Sequence, residues 1–283
     1  MPPRSQPTAR QVRLGVELRR LREAAGLTAR QVAASLGSNS ASMSQVESGI
    51  GGVSEARVRR LAAHYACADE ELISALVGMA TDRTCGWWEE YRGVLPVAYL
   101  DLSELEHHAT SRRDVDFTHV PGLLQTEEYA RALFAYQMPE LPESELEARV
   151  AHRMKRRVIV EGANPIPYET VIHEAALRIR VGDRRASRAQ LIRILELSDA
   201  SLAEVRVIPF DLDNFAGAGS AMVYAGGALP RLDTVVRDAP NGTVFFDAEA
   251  QLAHYRTLFR KVEGASLDPD KSRGFIHQIA KEL

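Results

Sequence analysis

Apolar positions near the start of the chain recur at helical spacing. Four of them fall at i, i+4, i+7 and i+11: Leu14, Leu18, Leu21 and Ala25. This spacing puts them on one face of a helix. Gly26 follows as a C-terminal cap, because glycine adopts the left-handed backbone that ends many helices. The pattern therefore predicts a first helix with one buried face.

Polar residues that cap helices precede the next apolar positions. Three further helices are predicted to begin at Thr28, which forms a capping box with Gln31, at Asn39 or Ser40, and at Ser54. Their apolar or terminal residues are Leu36-Gly37 for the second helix, Met43, Val46 and Gly49 for the third, and Val58, Leu61 and Tyr65 for the fourth. Four or five short helices are thus expected to share one small core.

Beyond about residue 80, stretches typical of strands alternate with helical ones. Six strands are predicted, over RDVDFTHV, YETVIH, AEVRVIPF, SAMVYA, LDTVVRD and TVFF, with an Asn241-Gly242 turn between the last two. The predicted helices include DLSELEHHA, one capped by Thr126, two with capping boxes at Ser144–Glu147 and Ser187–Gln190, QLAHYRTLFRKV and SRGFIHQIAKEL. We expect an all-α N-terminal domain of four to five helices followed by a larger mixed α+β domain.

Charge separates the same two regions. The first 65 residues hold ten arginines and four glutamates, a net charge of +6, whereas the whole chain of 283 residues has −3 and the remainder therefore −9. A basic module joined to an acidic one is typical of a nucleic-acid-binding protein with a separate second domain. We predict a disordered tail over 1–9, a DNA-binding domain over 10–80 and a regulatory, dimerisation or partner-binding domain over 81–283.

The segment LGVELRRLREAAGLTARQVAASLGSNSASMSQVESG resembles the lambda-repressor/Cro (XRE-type) helix-turn-helix. The resemblance rests on LGxxLRxLRxxxGLT in the first helix, QxA in the second, a glycine at the turn and a closing SxxExG. It implies that the third helix lies in the major groove of double-stranded DNA. It also implies an internal ion pair between Arg22 and Glu47 that supports this recognition helix.

Two sets of residues are candidates for contact with DNA. Those that can reach base edges are Ser40, Ala41, Ser44 and Gln45. Gln45 is the best of these, because its amide can pair bidentately with adenine. Those placed for phosphates are Thr28, Ala29 and Arg30 at the start of the second helix, with Asn39 and Ser42.

The chain departs from the XRE pattern at two places. Ala29 stands where the second helix usually has a glutamine that contacts DNA, and IGGVSE follows Gly49 where basic residues and a proline are common. Both changes remove contacts, so specificity is expected to come from dimerisation, DNA shape or a few polar contacts. A homodimer that binds an inverted repeat is therefore predicted.

The string VPGLLQTEEYARAL is the most distinctive of the second domain. Together with GWWEEY, SELEHHA, IHEAALR, QLIRIL and VRVIPF it resembles actinobacterial regulators of the WhiJ type. This resemblance implies an antitoxin-like transcription factor with a small acidic partner protein encoded nearby. The chain has HRMKRR where that family tends to have an Arg-Gln pair. We interpret its Arg153, Lys155, Arg156 and Arg157 as a solvated helix face, or as a surface for an acidic partner.

Motifs of catalysis, metal binding and membrane insertion are absent from the sequence. It contains no P-loop, HExxH, GxSxG or correctly placed GxGxxG, and its two cysteines form no CxxC. It also has no apolar run long enough for a signal peptide or membrane span. We therefore expect no enzyme activity, no metal, no cofactor and no membrane partner, and a cytoplasmic location.

Two functions are compatible with these features. The first is a dimeric, sequence-specific transcriptional regulator whose second domain senses a partner protein or a small ligand. The alternative is an antitoxin-like interaction module that neutralises a small partner protein, with DNA binding secondary.

Overall fold

The computed structural model describes residues 6–82, 84–137, 140–213, 215–216, 221–239 and 242–283. The chain divides into two compact units, and the division falls between Trp87 and Trp88. The described residues of the first unit form helices, and those of the second form helices and a six-stranded sheet. The predicted fold class is thus confirmed.

Five helices make up the first unit. They are α1 (Ala9–Ala24), α2 (Ala29–Ser35), α3 (Ser40–Glu47), α4 (Glu55–His64) and α5 (Glu70–Thr81). The side chains of Leu18, Val32, Met43, Leu61 and Leu72, one from each helix, are fully buried. Together they supply the apolar core that short helices need, because each alone would be marginal in water.

The predicted N-caps of this unit are confirmed. Thr28 Oγ1 accepts from the Gln31 backbone N–H at 3.2 Å, and Gln31 Oε1 accepts from the Thr28 N–H at 2.8 Å. Asn39, rather than Ser40, caps α3, and Ser54 caps α4. A further capping box at Thr8 starts α1 at Ala9, so the predicted tail over 1–9 extends too far. Residues 1–5 of that tail lie outside the described residues.

The second unit is built on one mixed sheet. Its strands are β1 (Ser111–Asp116), β2 (Tyr168–His173), β3 (Glu204–Ile208), β4 (Met222–Gly226), β5 (Thr234–Ala239) and β6 (Gly242–Phe246), in the order β3-β2-β1-β4-β5-β6. The β1–β2 and β2–β3 pairs are parallel, and the other three are antiparallel. The predicted hairpin of the last two strands is confirmed, although Asn241 of its turn lies outside the described residues.

Helices cover both faces of this sheet. The unit contains α6 (Val97–His107), α7 (Glu127–Ala135), α8 (Glu143–Lys155), α9 (Val158–Glu161), α10 (Glu174–Arg178), α11 (Arg184–Asp199), α12 (Glu249–Ala265) and α13 (Pro269–Glu282). One core joins α11 and α13 to β2 and β3, and a second joins α12 to β1, β4 and β5. The connections between the parallel strands contain α7 to α9 and then α10 and α11, since parallel neighbours cannot be joined by a tight turn.

Two predicted capping boxes are wrong. Helix α8 begins at Glu143, and Glu147 bonds to Arg131 instead of closing a box with Ser144. Helix α11 is capped by Asp183, which leaves Ser187 and Gln190 buried inside it. The Gln190 amide accepts from the Thr126 backbone N–H at 2.7 Å and donates to the Leu124 carbonyl at 2.8 Å. The S-x-x-Q spacing therefore marks a tertiary contact and not a helix start.

A buried network of four charges connects α6, α8 and β1. Glu106 accepts from Arg112 and, at 2.8 and 2.6 Å, from Arg156, while Arg112 also forms a two-bonded pair with Asp114 at 2.8 and 2.9 Å. None of these four side chains is more than 5% exposed. The solvated face predicted for HRMKRR is therefore wrong at Arg156, and Lys155 is its exposed residue.

Neither a membrane span nor a metal cluster is found within the described ranges. No helix there combines the length and apolar character required to cross a bilayer. No group of three or more potential metal-ligating side chains comes together in the same residues.

Replacement of Glu106 by Gln tests the charge network. The change leaves Arg112 and Arg156 short of a buried counter-charge, so we expect the free energy of unfolding to fall by about 3 to 5 kcal/mol. Urea denaturation of the second unit measures this loss. The control is Glu127→Gln, which affects an exposed pair with Arg131 and should cost about 1 kcal/mol or less.

The same network predicts a sign for the pH dependence. Burial alone would raise the pKa of Glu106, but the Arg156 and Arg112 guanidiniums outweigh it and hold the pKa below its usual value. Its contribution to stability is thus present above the unfolded pKa of about 4.3 and is lost as the pH falls through the lower folded pKa. In acid, below both pKa values, the wild type and E106Q are therefore expected to have the same free energy of unfolding. An equal loss at every pH would contradict this expectation.

Candidate nucleic-acid interface

Helix α3 separates a polar outer face from an apolar inner one. Met43 is fully buried and Val46 is 3% exposed, so both pack into the core. The four candidates for base contact are all exposed on the other side: Ser40, Ala41, Ser44 and Gln45. Hydroxyl and amide groups on the outer face of a short helix suit hydrogen bonding to base edges in a major groove.

The candidates for phosphate contact lie at the starts of α2 and α3. Thr28, Arg30 and Asn39 are exposed, whereas Ala29 and Ser42 are half-buried. The Asn39 Oδ1 accepts from the Ser42 backbone N–H at 2.7 Å, so its side chain is already used in capping. The backbone amides of these first turns remain the groups suited to an anion.

Arg57 of α4 adds a cation that is not among the DNA contacts predicted from the sequence. Its Nη2 donates to Ser42 Oγ at 3.1 Å and lies 3.9 Å from the Met43 sulfur. The guanidinium is thereby held beside the first turn of α3, next to two of the predicted phosphate contacts. Fifteen residues separate Arg57 from Ser42, so no local pattern in the sequence indicates this contact.

Most of the other arginines in this unit are neutralised by glutamates. The ion pairs are Arg13 and Arg20 with Glu17, Arg19 with Glu23, Arg22 with Glu47, and Arg59 with Glu55. In the described part of the unit, Arg30, Arg57 and Arg60 have no carboxylate partner. Arg57 and Arg60 line a groove of about 480 Å³ with Gly37, Ser38 and Ser54. Arg57 and Arg60 thus bring positive charge to the side of α4 that faces this groove.

Arg22 and Glu47 hold the end of α3 against α1. Their side chains are joined by two bonds, Nε to Oε1 at 2.6 Å and Nη2 to Oε2 at 2.8 Å, and each is 9% exposed. Arg22 Nη1 also donates to the Leu27 carbonyl at 2.7 Å. The bond to Glu47 raises the pKa of Arg22. One guanidinium therefore fixes α1, the loop before α2, and the C-terminal end of α3.

Two glycines allow α1 and the end of α3 to approach closely. A Cβ at Gly15 would lie 2.5 Å from the Glu47 carbonyl oxygen. A Cβ at Gly49, which has φ +78°, would lie 2.7 Å from the Gln11 carbonyl carbon. Backbone thus packs on backbone at both positions, and only glycine fits without movement of a helix.

Comparison with known families assigns each unit separately. Residues 13–76 match a family described as a helix-turn-helix domain, and residues 99–278 match one described as a domain of unknown function, DUF5753. The second match spans more than half of the chain. This chain belongs to the DUF5753 family. Searches of curated proteins and of solved structures gave no match. The DUF5753 assignment names no activity, so the helix-turn-helix match and the geometry above define the interface.

Replacement of Gly15 by Ala tests the close approach of α1 and α3. Alanine normally stabilises a helix interior by about 0.5 to 1 kcal/mol relative to glycine. At Gly15 the added methyl overlaps backbone, so we expect a net loss of about 1 to 3 kcal/mol and weaker protection of α3 from hydrogen exchange. Gly78→Ala in α5 is the control, because nothing lies within 4 Å of its Cβ position and it should stabilise. Equal effects of the two substitutions would contradict the packing argument.

Proposed function

We propose that this protein is a sequence-specific DNA-binding transcriptional regulator that uses α3 as its recognition helix. The observation that carries the proposal is the joint placement of an exposed polar face on α3 and an arginine without a carboxylate partner beside its first turn. The helix-turn-helix match over residues 13–76 supports the same conclusion. Fold alone would not be sufficient, since function depends on the site.

The residues of this interface divide into three roles. Gln45 and Ser44 bind base edges, with the Gln45 amide suited to adenine. Arg57, with the amides at the starts of α2 and α3, binds phosphates and fixes the register on the duplex. Arg22 and Glu47 hold α3 in its orientation and do not touch DNA. The rigid pair matters because base contacts require a helix with little freedom to rotate.

We further propose an XRE-type homodimer that binds an inverted repeat, with two α3 helices about one helical turn apart. In this proposal the DUF5753 unit senses a small ligand or a partner protein and has no catalytic role. The small acidic partner and the antitoxin-like alternative are implied by the resemblance to WhiJ-type regulators. Both stay predictions.

Removal of the Ser44 and Gln45 side chains tests the base contacts. With DNA from the gene's own promoter region we expect the wild type to bind about a thousandfold more tightly than to random DNA of equal length. The S44A/Q45A variant should lose most of this preference while retaining its binding to random DNA. Fluorescence anisotropy at fixed salt gives both affinities, and footprinting shows whether two half-sites are covered. Gln251→Ala, an exposed change in the second unit, is the control, and unchanged preference in S44A/Q45A would exclude α3 as the recognition helix.

Replacement of Arg57 by Ala tests the phosphate contact. We expect weaker binding to all DNA sequences, together with a decrease of about 1 in the slope of log affinity against log salt. Arg59→Ala is the matched control, since it removes the same charge from the same helix but from a side chain already paired with Glu55. If both variants change the slope equally, only general charge matters and the specific role of Arg57 is wrong.

A further inference from the structure

A cavity of about 190 Å³ opens in the second unit beside the sheet, and alternate residues along β1 line it. Its lining includes Asp116, the last residue of β1, and Met222, the first of β4. The strand order reverses here, because β2 and β3 lie on one side of β1 while β4, β5 and β6 lie on the other. The cavity therefore lies beside β1, where the parallel and antiparallel parts of the sheet meet.

Arg153 of α8 brings a positive charge to this cavity. Its Nη1 donates to Gln125 Oε1 at 2.6 Å, and its guanidinium lies 4.7 Å from the centre of the Phe134 ring. Within the described part of the chain it has no carboxylate partner. Burial and the nearby Arg156 lower the pKa of Arg153 to about 10, so it is still a cation at neutral pH. A guanidinium has five N–H donors, and most of those of Arg153 remain available.

Asp116 brings an acidic group to the same cavity. Its carboxyl has no hydrogen bond or ion pair among the described residues. Burial and the neighbouring Asp114 carboxylate raise its pKa well above the usual value. Asp238 raises this pKa further, whereas Arg112 and Arg153 lower it in part. The Asp114 and Arg112 charges neutralise each other in the buried network. Asp116 thus offers the cavity a carboxyl group that an added positive charge would favour in its ionised form.

Arg153 and Asp116 face one cavity but do not form an ion pair. The Arg153 cation is stabilised by an added negative charge, and an added positive charge favours ionisation of the Asp116 carboxyl, whose pKa is raised. A single molecule with an acidic group and an amine supplies both. The cavity volume of about 190 Å³ is sufficient for a molecule of a few non-hydrogen atoms.

We propose that this cavity binds a small zwitterion of the amino-acid class, with its carboxylate on Arg153 and its ammonium on Asp116. The regulatory meaning of this site rests on the proposed function of the second unit as a sensor, whereas the binding itself does not. Arg153 suits a carboxylate because its planar fork can donate two parallel bonds. Asp116 suits an ammonium because the cation favours the ionised carboxylate that burial otherwise disfavours.

The string VPGLLQTEEYARAL forms one wall of this site. Gln125, which is 2% exposed, donates to the Val120 carbonyl at 2.7 Å and accepts from Arg153. A Cβ at Gly122 would lie 3.1 Å from Arg153 Nη1, so glycine leaves room for the guanidinium. The most distinctive string of the second domain therefore holds Arg153 in place for a ligand.

Calorimetric titration of the full chain tests the site directly. The probes are glycine, β-alanine and 4-aminobutyrate, which separate the two charges by increasing distances, with propionate and propylamine as single-charge controls. We expect one amino acid to bind more tightly than either single-charge compound. Arg153→Gln should weaken its binding about tenfold or more, because a charged hydrogen bond is lost. Asp116→Asn should weaken the amino acid similarly but leave propionate unchanged.

Controls separate binding from folding and from DNA recognition. Arg180→Gln, a change at an exposed arginine outside the cavity, should bind as the wild type does. Asp116→Asn keeps the size of a side chain that makes no hydrogen bond or ion pair among the described residues, so it is expected to fold, which thermal unfolding verifies. The proposal is overturned if no amino acid binds at millimolar concentration, if R153Q binds as tightly as the wild type, or if propionate binds as tightly as the amino acid. If the protein binds the amino acid but not DNA, the proposed function is contradicted and the ligand site still stands. If it binds the amino acid and its affinity for the operator does not change, the site stands but has no regulatory role.

Discussion

A guanidinium removed from water requires a carboxylate, and both units of this protein are organised by that constraint. In the first unit, Arg22 and Glu47 fix the end of α3 against α1. In the second, Glu106 joins Arg112 of β1 to Arg156, the residue that follows α8. The Arg22–Glu47 and Arg156–Glu106 pairs connect parts that are distant in sequence, and both use the two-bonded geometry that arginine and a carboxylate share. The position of α3 and the attachment of α8 to the sheet both depend on such pairs.

The same constraint identifies the residues that are free to act on other molecules. An arginine that is fully paired with a carboxylate, as Arg22 is with Glu47, has a structural role. Among the described residues of the first unit, Arg30, Arg57 and Arg60 lack a carboxylate partner, and they lie at the surface beside the helices assigned to DNA. Among the described residues of the second unit, Arg153 and Asp116 lack a partner of opposite charge, and both face a cavity. Polyanionic DNA suits the first set, which carries one sign of charge, and a small molecule with both signs suits the second.

The sequence predicted those features that depend on near neighbours. The Thr28–Gln31 capping box and the Ser54 cap are confirmed, because each is made within one turn of a helix. The same reasoning failed at Ser187 and Gln190, where the spacing matches a cap but Asp183 starts the helix earlier. The strands were predicted because their side chains alternate or form short apolar runs. The order of the strands in the sheet was not predicted. Pattern alone cannot tell a capping glutamine from one that bonds across the fold.

The site residues that sequence reasoning missed are set by tertiary contacts. Arg57 belongs to a different helix from Ser42, and only the packing of α4 on α3 brings them together. Arg153 and Arg156 are three residues apart in one basic run, yet Arg156 meets Glu106 while Arg153 meets a neutral amide. The HRMKRR run therefore has a uniform charge in sequence and unequal roles in the fold. No local rule assigns such roles, since they depend on which carboxylates the fold brings within reach.

The C-terminal end of α8 thus holds two arginines: Arg156 has a carboxylate partner, and the half-buried Arg153 has none among the described residues. Arg156 holds the helix to Glu106, while the cost of Arg153 favours any movement of α8 that returns this guanidinium to water. A ligand shifts such an equilibrium only by the difference in its affinity for the two states. A carboxylate bound to Arg153 removes the cost in the present position of α8 and not in a displaced one. Occupancy of the cavity would therefore be expressed first as a change in the position or stability of α8.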